Sequence, residues 1–218
     1  IEYKGMIWCV GAMTGGFPTE TPIPNIYIYD PLADTWHVGP TIPVARRRGS
    51  SGVVVYNDEI YIVSGIINGH QSGWVTWLDK FNPQTNTWTI LPDAPRARDH
   101  WQAQLANGKI YAIGGRRSGA NGTFNATISE VDVYDIVANA WFTLPAAQNL
   151  PTQRAAGVVG LLGDEIIYAE SDGNYSTIYL ADGHKMVLTK KLKEVNEILP
   201  QDSFFRIHTS TFSHRLKV

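Results

Sequence analysis

The chain has 218 residues and a single cysteine, Cys9, so no internal disulfide framework holds it together. Cys9 lies in the apolar run "MIWCVG", where a small buried residue is expected rather than a nucleophile. No run approaches the roughly 18 consecutive apolar residues of a membrane-spanning helix. The N-terminus shows no signal-peptide pattern. Charged residues make up only 17% of the chain and the formal net charge is -2, which gives no global pull toward nucleic acid or anionic membrane. Only the tail is basic, with seven Lys/Arg against three Asp/Glu between residues 183 and 218. Catalytic signatures are missing as well. His37, His70, His100, His184, His208 and His214 are scattered without metal-ligand spacing, and no G-x-S-x-G elbow occurs. "GAMTGG" at residues 11–16 lacks the helix that a phosphate loop requires. A non-enzymatic protein without a cofactor or metal is expected.

What is present is a repeat. "DPLADTW" ends at Trp36, "NPQTNTW" at Trp88 and "DIVANAW" at Trp141, spaced 52 and 53 residues apart. Proline follows each tryptophan at the fourth place (Pro40, Pro92, Pro145), and arginine comes later (Arg46, Arg98, Arg154). Two short strands then flank a turn pair: Asn57-Asp58, Asn107-Gly108 or Gly163-Asp164. The third strands "NIYIYD", "WLDKFN" and "EVDVYD" alternate apolar with polar residues, as half-buried strands do. Each unit reads as a four-stranded meander, and the chain reads as opening at the second strand of one unit.

These units resemble the kelch repeat family over about residues 1–168, on the glycine-ended second strand (Ser64-Gly65, Gly114-Gly115), the Tyr/Phe-Asp/Asn pair (Tyr29-Asp30, Phe81-Asn82, Tyr134-Asp135) and the spaced tryptophan. Gly11-Ala12 departs from the pattern in the first copy. The resemblance implies about three blades of a β-propeller, with tryptophan covering the gap between blades.

The rhythm changes near residue 163. From Asp172 come an alternating strand, a turn at Ala181-Asp182-Gly183, a second strand, and a segment with Leu192, Val195, Ile198 and Leu199 on one helical face, capped by Thr189 and stopped by Pro200. "DGNY" (172–175), "LADG", "TKKLKEVNEILP" and "FFRIHTS" resemble the LytTR family of DNA-binding domains, over residues 164 to about 211, in truncated form. The expected division is a partial propeller at 1–163 and a LytTR-like segment with one helix (~189–199) at 164–218. By this resemblance Asn174 and Thr209 fall on base-contacting positions, and Arg206, His208, Lys190 and Lys191 on phosphate or support positions.

For the propeller part, strand alternation puts the loop from second to third strand and the inter-blade link on one face. That face is the expected ligand surface, for a protein or a glycan. The periodic Arg46, Arg98 and Arg154 are expected to make structural hydrogen bonds between blades. The non-periodic Arg47, Arg48, Trp101, Arg116 and Arg117 are the candidates for a ligand. Duplex DNA is the expected partner of the C-terminal segment, and no membrane partner is expected. The two resemblances imply different compartments: cytoplasmic for the LytTR part, extracellular for the kelch part. A transcription regulator in which DNA binding dominates, or a join without evolved function, are the alternative readings.

Overall fold

A computed structural model describes residues 1–117, 126–162, 165–172, 175–179, 185–188, 204–208 and 211–214, with side chains up to residue 160. The chain forms two compact units, Ile1–Ala155 and Ala156–Val218.

The first unit holds three four-stranded antiparallel sheets, each an unbroken meander. Blade 1 is β1 (Glu2–Tyr3), β2 (Met6–Cys9), β5 (Asn25–Asp30) and β6 (Thr35–Thr41), and the hairpin β3 (Met13–Thr14) and β4 (Thr21–Pro22) decorates its long loop. Blade 2 is β7 (Gly52–Tyr56), β8 (Glu59–Asn68), β9 (Ser72–Asn82) and β10 (Thr87–Leu91). Blade 3 is β11 (Gln102–Ala106), β12 (Lys109–Ile113), β13 (Asp132–Asp135) and β14 (Ala140–Thr143). Blade 1 therefore contains its own first strand, a correction to the reading that the chain opens at a second strand. Two residues paired as Glu2↔Ile7 and Tyr3↔Met6 are too short to show alternation in the sequence.

Local chemistry sets the hairpins. Lys4-Gly5, Asn57-Asp58 and Asn107-Gly108 all have positive φ at both positions, as a tight turn matching strand twist requires. Where the third strand turns into the fourth, Asp34, Asn86 and Asn139 take the left-handed conformation at φ 52°, 54° and 52°. Tyr134 Oη donates to Asn139 Oδ1 at 2.5 Å, and Tyr29 Oη donates to Asp34 in the same place of blade 1.

Blades join through apolar seams. Ile26 and Ile42 of the first blade region meet Ile60, Ile62 and Phe81 of the second, with Trp88 packed alongside. Val54, Tyr61, Val63 and Leu78 meet Trp101, Ala103, Ile110, Ala112 and Tyr134 at the next seam, with Trp141 alongside. Trp36, Trp88 and Trp141 stack on Tyr29, Phe81 and Tyr134 at centroid distances of 5.1, 4.6 and 5.2 Å. Trp141 Nε1 also donates to the Pro92 carbonyl at 2.8 Å, which ties blade 3 to the link before it. The tryptophan role expected from the repeat holds for Trp88 and Trp141 at these seams, whereas Trp36 is 60% exposed and, among the described residues, packs only on Tyr29 of its own blade.

In the second unit, β15 (Val159–Leu162), β16 (Glu165–Asp172), β17 (Tyr175–Tyr179) and β18 (Lys185–Leu188) form a fourth four-stranded antiparallel sheet in sequence order. The strands read from "GNYSTIY" and after "LADG" are present as β17 and β18. β19 (Phe204–His208) and β20 (Thr211–His214) pair as a two-stranded ribbon with a bulge between Arg206 and His208. The helix expected over 189–199 lies outside the described residues.

Candidate functional site

In the first unit the loops from second to third strand and the inter-blade links do meet on one face. Gly65 N–H donates to the Arg98 carbonyl at 2.9 Å and Gly115 N–H to the Arg154 carbonyl at 2.7 Å, so the end of each second strand touches the next link. Gly115 has φ +93°, and a Cβ there would stand 3.0 Å from Trp101 Cβ and 3.1 Å from the Asp99 carbonyl, so this close approach requires glycine.

The arginines of the links divide by what they touch. Arg48 is buried: its Nη1 lies 2.6 Å from Asp79 Oδ2, its Nε donates to the Ser64 carbonyl and its Nη2 to the Ile62 carbonyl. One blade on, Arg98 repeats the pattern with Asp132 Oδ2 at 2.5 Å and the Gly114 carbonyl at 2.6 Å. A second arginine shares each aspartate, Arg46 on Asp79 Oδ1 at 2.9 Å and Arg96 on Asp132 Oδ1. Burial pulls the Arg48 and Arg98 guanidiniums below their ordinary values, and the aspartate opposite each works in the other direction.

The structural repeat is therefore Arg48/Arg98, not Arg46/Arg98. Counting from tryptophan slips because β6 carries a one-residue bulge, with Asn25↔Thr41 but Tyr27↔Val38, and because a 3₁₀ turn over Val44–Arg46 lengthens this link. These pairs also close within the blade that the arginine leads into, rather than between blades as expected.

Three of the five residues expected to face a ligand are turned inward. Arg48 is held as described. Trp101 is 5% exposed in the seam between blades 2 and 3, where its indole lies across Gly52. Arg116 is 2% exposed, with its Nε 3.7 Å from Asp99 Oδ1. Composition alone favours arginine and tryptophan at interfaces, but both residue types here serve packing. Arg47 is half-buried and donates from Nε to the Ile42 carbonyl at 3.1 Å.

Arg117 is exposed, and it borders a groove of about 590 Å³ on the loop side of blades 2 and 3. The groove is lined by Thr76, Arg96, Thr127, Ser129, Glu130 and Gln153 among others. Arg96 Nε lies 3.4 Å from Glu130 Oε1. The Glu130 carboxyl sits below its ordinary value, first through its own backbone N–H and then through Arg96. The groove thus offers hydroxyl, amide and charged groups together, at a volume suited to a small ligand or a peptide side chain.

Sequence reasoning missed a second cluster on this face. His70 Nε2 and His100 Nε2 stand 3.1 Å apart, although the residues are 30 positions apart in the chain. No short-range spacing could have revealed a pair built by the loops of two different blades.

Of the six DNA-contact candidates, Asn174, Thr209, Lys190 and Lys191 lie outside the described residues. Arg206 and His208 lie on β19. Among the described residues no helix is long and apolar enough to cross a membrane.

Comparison with known proteins matches this architecture. The kelch motif family matches residues 47–95 and 105–147, and the LytTr DNA-binding domain family matches residues 157–213. The first part of the chain thus carries kelch motifs, and a LytTR-type sequence follows it. Among relatives, the Kelch-like protein terF of Aspergillus terreus is 32% identical over 154 residues, covering 69% of this chain and 32% of that protein. Kelch domain-containing protein 8B of Mus musculus is 28% identical over 129 residues, covering 58% of this chain and 36% of that protein. The chain spans about a third of the length of these curated relatives. The solved structure of YjhT superposes with a TM-score of 0.62 at 15% identity, covering 84% of this chain and 67% of that one, and so shares the fold.

Proposed function

We propose that the kelch part is a non-enzymatic binding scaffold that captures a protein or glycan ligand on its loop face, in the groove beside Arg117. The observation that carries this reading is that groove, about 590 Å³ between the loops of two blades, with an exposed guanidinium at its border. Long loops on a rigid sheet framework are a favourable place for a binding site. A solvent-facing arginine contributes to recognition without being needed for folding. The test is to screen the chain against glycan and peptide arrays beside its Arg117→Ala variant. Specific binders whose capture falls about tenfold or more in the variant support the reading. Arrays without a binder, or binders indifferent to Arg117→Ala, refute it.

The second reading concerns the C-terminal part, which we propose begins near residue 164 and binds duplex DNA weakly. It is supported by the match of residues 157–213 to a DNA-binding family and by the basic tail. Phosphate contacts release counterions, so retardation of promoter duplexes is expected to be strong at low salt and to vanish near physiological salt. Loss of retardation in Arg206→Ala supports it, and absence of any retardation at low salt excludes it. If DNA binding dominates, the chain acts as a transcription regulator in the cytoplasm.

A further inference from the structure

On the loop face of the first unit, four blade-end segments bring Glu20, His70, His100, Asp99 and Arg116 together. His70 is positioned by its own backbone, whose N–H donates to the Pro18 carbonyl at 3.0 Å. Gly69 before it has φ +53°, and a Cβ there would fall 2.4 Å from that same Pro18 oxygen. His100 is held in the left-handed region at φ 51°, a conformation that a non-glycine residue keeps only where its surroundings enforce it.

The ring nitrogens then sort themselves. His70 Nδ1 lies 3.1 Å from Glu20 Oε2, and His100 Nδ1 lies 3.3 Å from Asp99 Oδ1. The carboxylate beside His70 Nδ1 favours the tautomer that carries the proton there and leaves its Nε2 as a lone pair. At His100 the Arg116 guanidinium, which can only donate, faces Nε2 at 3.3 Å and favours a lone pair there. Those two Nε2 atoms are the ones that face each other at 3.1 Å. Two lone pairs at that distance repel unless something positive sits between them, either a proton or a metal ion. Two imidazole nitrogens bound to one zinc at ~2.0–2.1 Å and angles of about 90–110° stand roughly 2.9–3.4 Å apart. The observed separation already falls in that window.

We propose that His70 and His100 form a binding site for a divalent transition-metal ion, held through both Nε2 atoms and backed by Glu20 and Asp99. The inference is independent of the ligand groove. Imidazole donors select zinc, copper or nickel over calcium and magnesium. Among the described residues no group of three or more His, Cys, Asp and Glu side chains converges on one point, so water or an incoming ligand fills the remaining positions. Charge favours a cation: with both rings neutral, Glu20 and Asp99 against Arg116 leave one net negative charge around the pair. Arg116 Nη2 approaches His100 Nε2 at 3.3 Å, and Asp99 offsets that guanidinium from 3.7 Å. Both imidazoles keep access to solvent, at 22% and 26% side-chain exposure, and metal entry needs no opening of the fold.

The experiment is calorimetric titration of the intact chain with zinc chloride near neutral pH, with copper(II) electron paramagnetic resonance as the structural readout. One zinc equivalent is expected, together with a copper spectrum split by two imidazole nitrogens. His70→Ala and His100→Ala are each expected to weaken zinc at least tenfold. The positioning residue Glu20 is expected to cost about 10–100-fold as Glu20→Gln. His37→Ala, on an exposed strand position, is expected to change nothing. No zinc binding, or zinc binding that survives both His70→Ala and His100→Ala, overturns the proposal. The wild-type copper spectrum decides the matter if either variant folds poorly: fewer than two coordinated imidazoles contradicts the site.

Discussion

Arg48 Nη1 lies 2.6 Å from Asp79 Oδ2, and both side chains are 2% exposed. A buried pair of this kind is worth little against a well-packed apolar replacement, yet removing one partner strands the other charge. Arg48→Met is therefore expected to destabilise the first unit by about 3–5 kcal/mol. Adding Asp79→Leu is expected to recover only part of that loss, because the buried carboxylate goes with it but Arg46 then loses its own partner. Urea unfolding of the two single variants and the double variant checks this. Simple additivity of the two losses would contradict it.

Trp101 belongs to the seam between blades 2 and 3, so its removal is expected to unfold before it unbinds. Trp101→Ala is expected to cost about 3–5 kcal/mol through the cavity it leaves. The facing position is equally tight, since a Cβ on Gly52 would sit 2.5 Å from the indole. Gly52→Ala is expected to cost about 1–3 kcal/mol by overpacking. Thermal melts of both variants test the seam, and unchanged melting of either would contradict it.

Tyr61 is buried in the same seam, and desolvation pushes its hydroxyl up to about 12. A raised folded-state value means that the fold prefers the protonated phenol. The stabilisation is then complete below the ordinary value of 10 and lost as pH rises from there through about 12. Tyr29 and Tyr134 are raised as well, so alkaline unfolding monitored by tyrosinate absorbance is expected to show a late-ionising group of tyrosines that loses one member in Tyr61→Phe. A Tyr61 that titrates with the exposed tyrosines would refute this.

At the Asn107-Gly108 turn both residues hold positive φ, 48° and 68°. Gly108→Val is expected to cost about 1–2 kcal/mol from the left-handed penalty alone. The hairpin of β11 and β12 is expected to show it first, as faster amide exchange at Gln104 and Leu105 than in the wild-type chain. Equal exchange would argue against a strained turn.

The blades were legible in the sequence because their signals are local. A turn pair, an alternating strand and a tryptophan at a fixed offset each act over a few residues, and Trp36, Trp88 and Trp141 stand where the period puts them. The arginines were not legible in the same way. Arg48 aligns with Arg98 only after the bulge opposite Asn25–Tyr27 and the 3₁₀ turn at Val44–Arg46 are allowed for, and neither leaves a sequence mark strong enough to count by. Interface composition pointed to Trp101 and Arg116, but a seam between blades and a binding face use the same residue types. His70 and His100 meet only because two loops of different blades converge, a tertiary fact that spacing along one strand does not carry.

Different arginines hold the blades together and stand exposed at the groove: Arg98 is fully buried and Arg117 is exposed. Urea unfolding of Arg98→Met beside Arg117→Ala tests this division most directly. A loss of about 3–5 kcal/mol in Arg98→Met, with Arg117→Ala within about 0.5 kcal/mol of wild type, is the predicted result. Equal losses in the two variants, or a stable Arg98→Met, would contradict it.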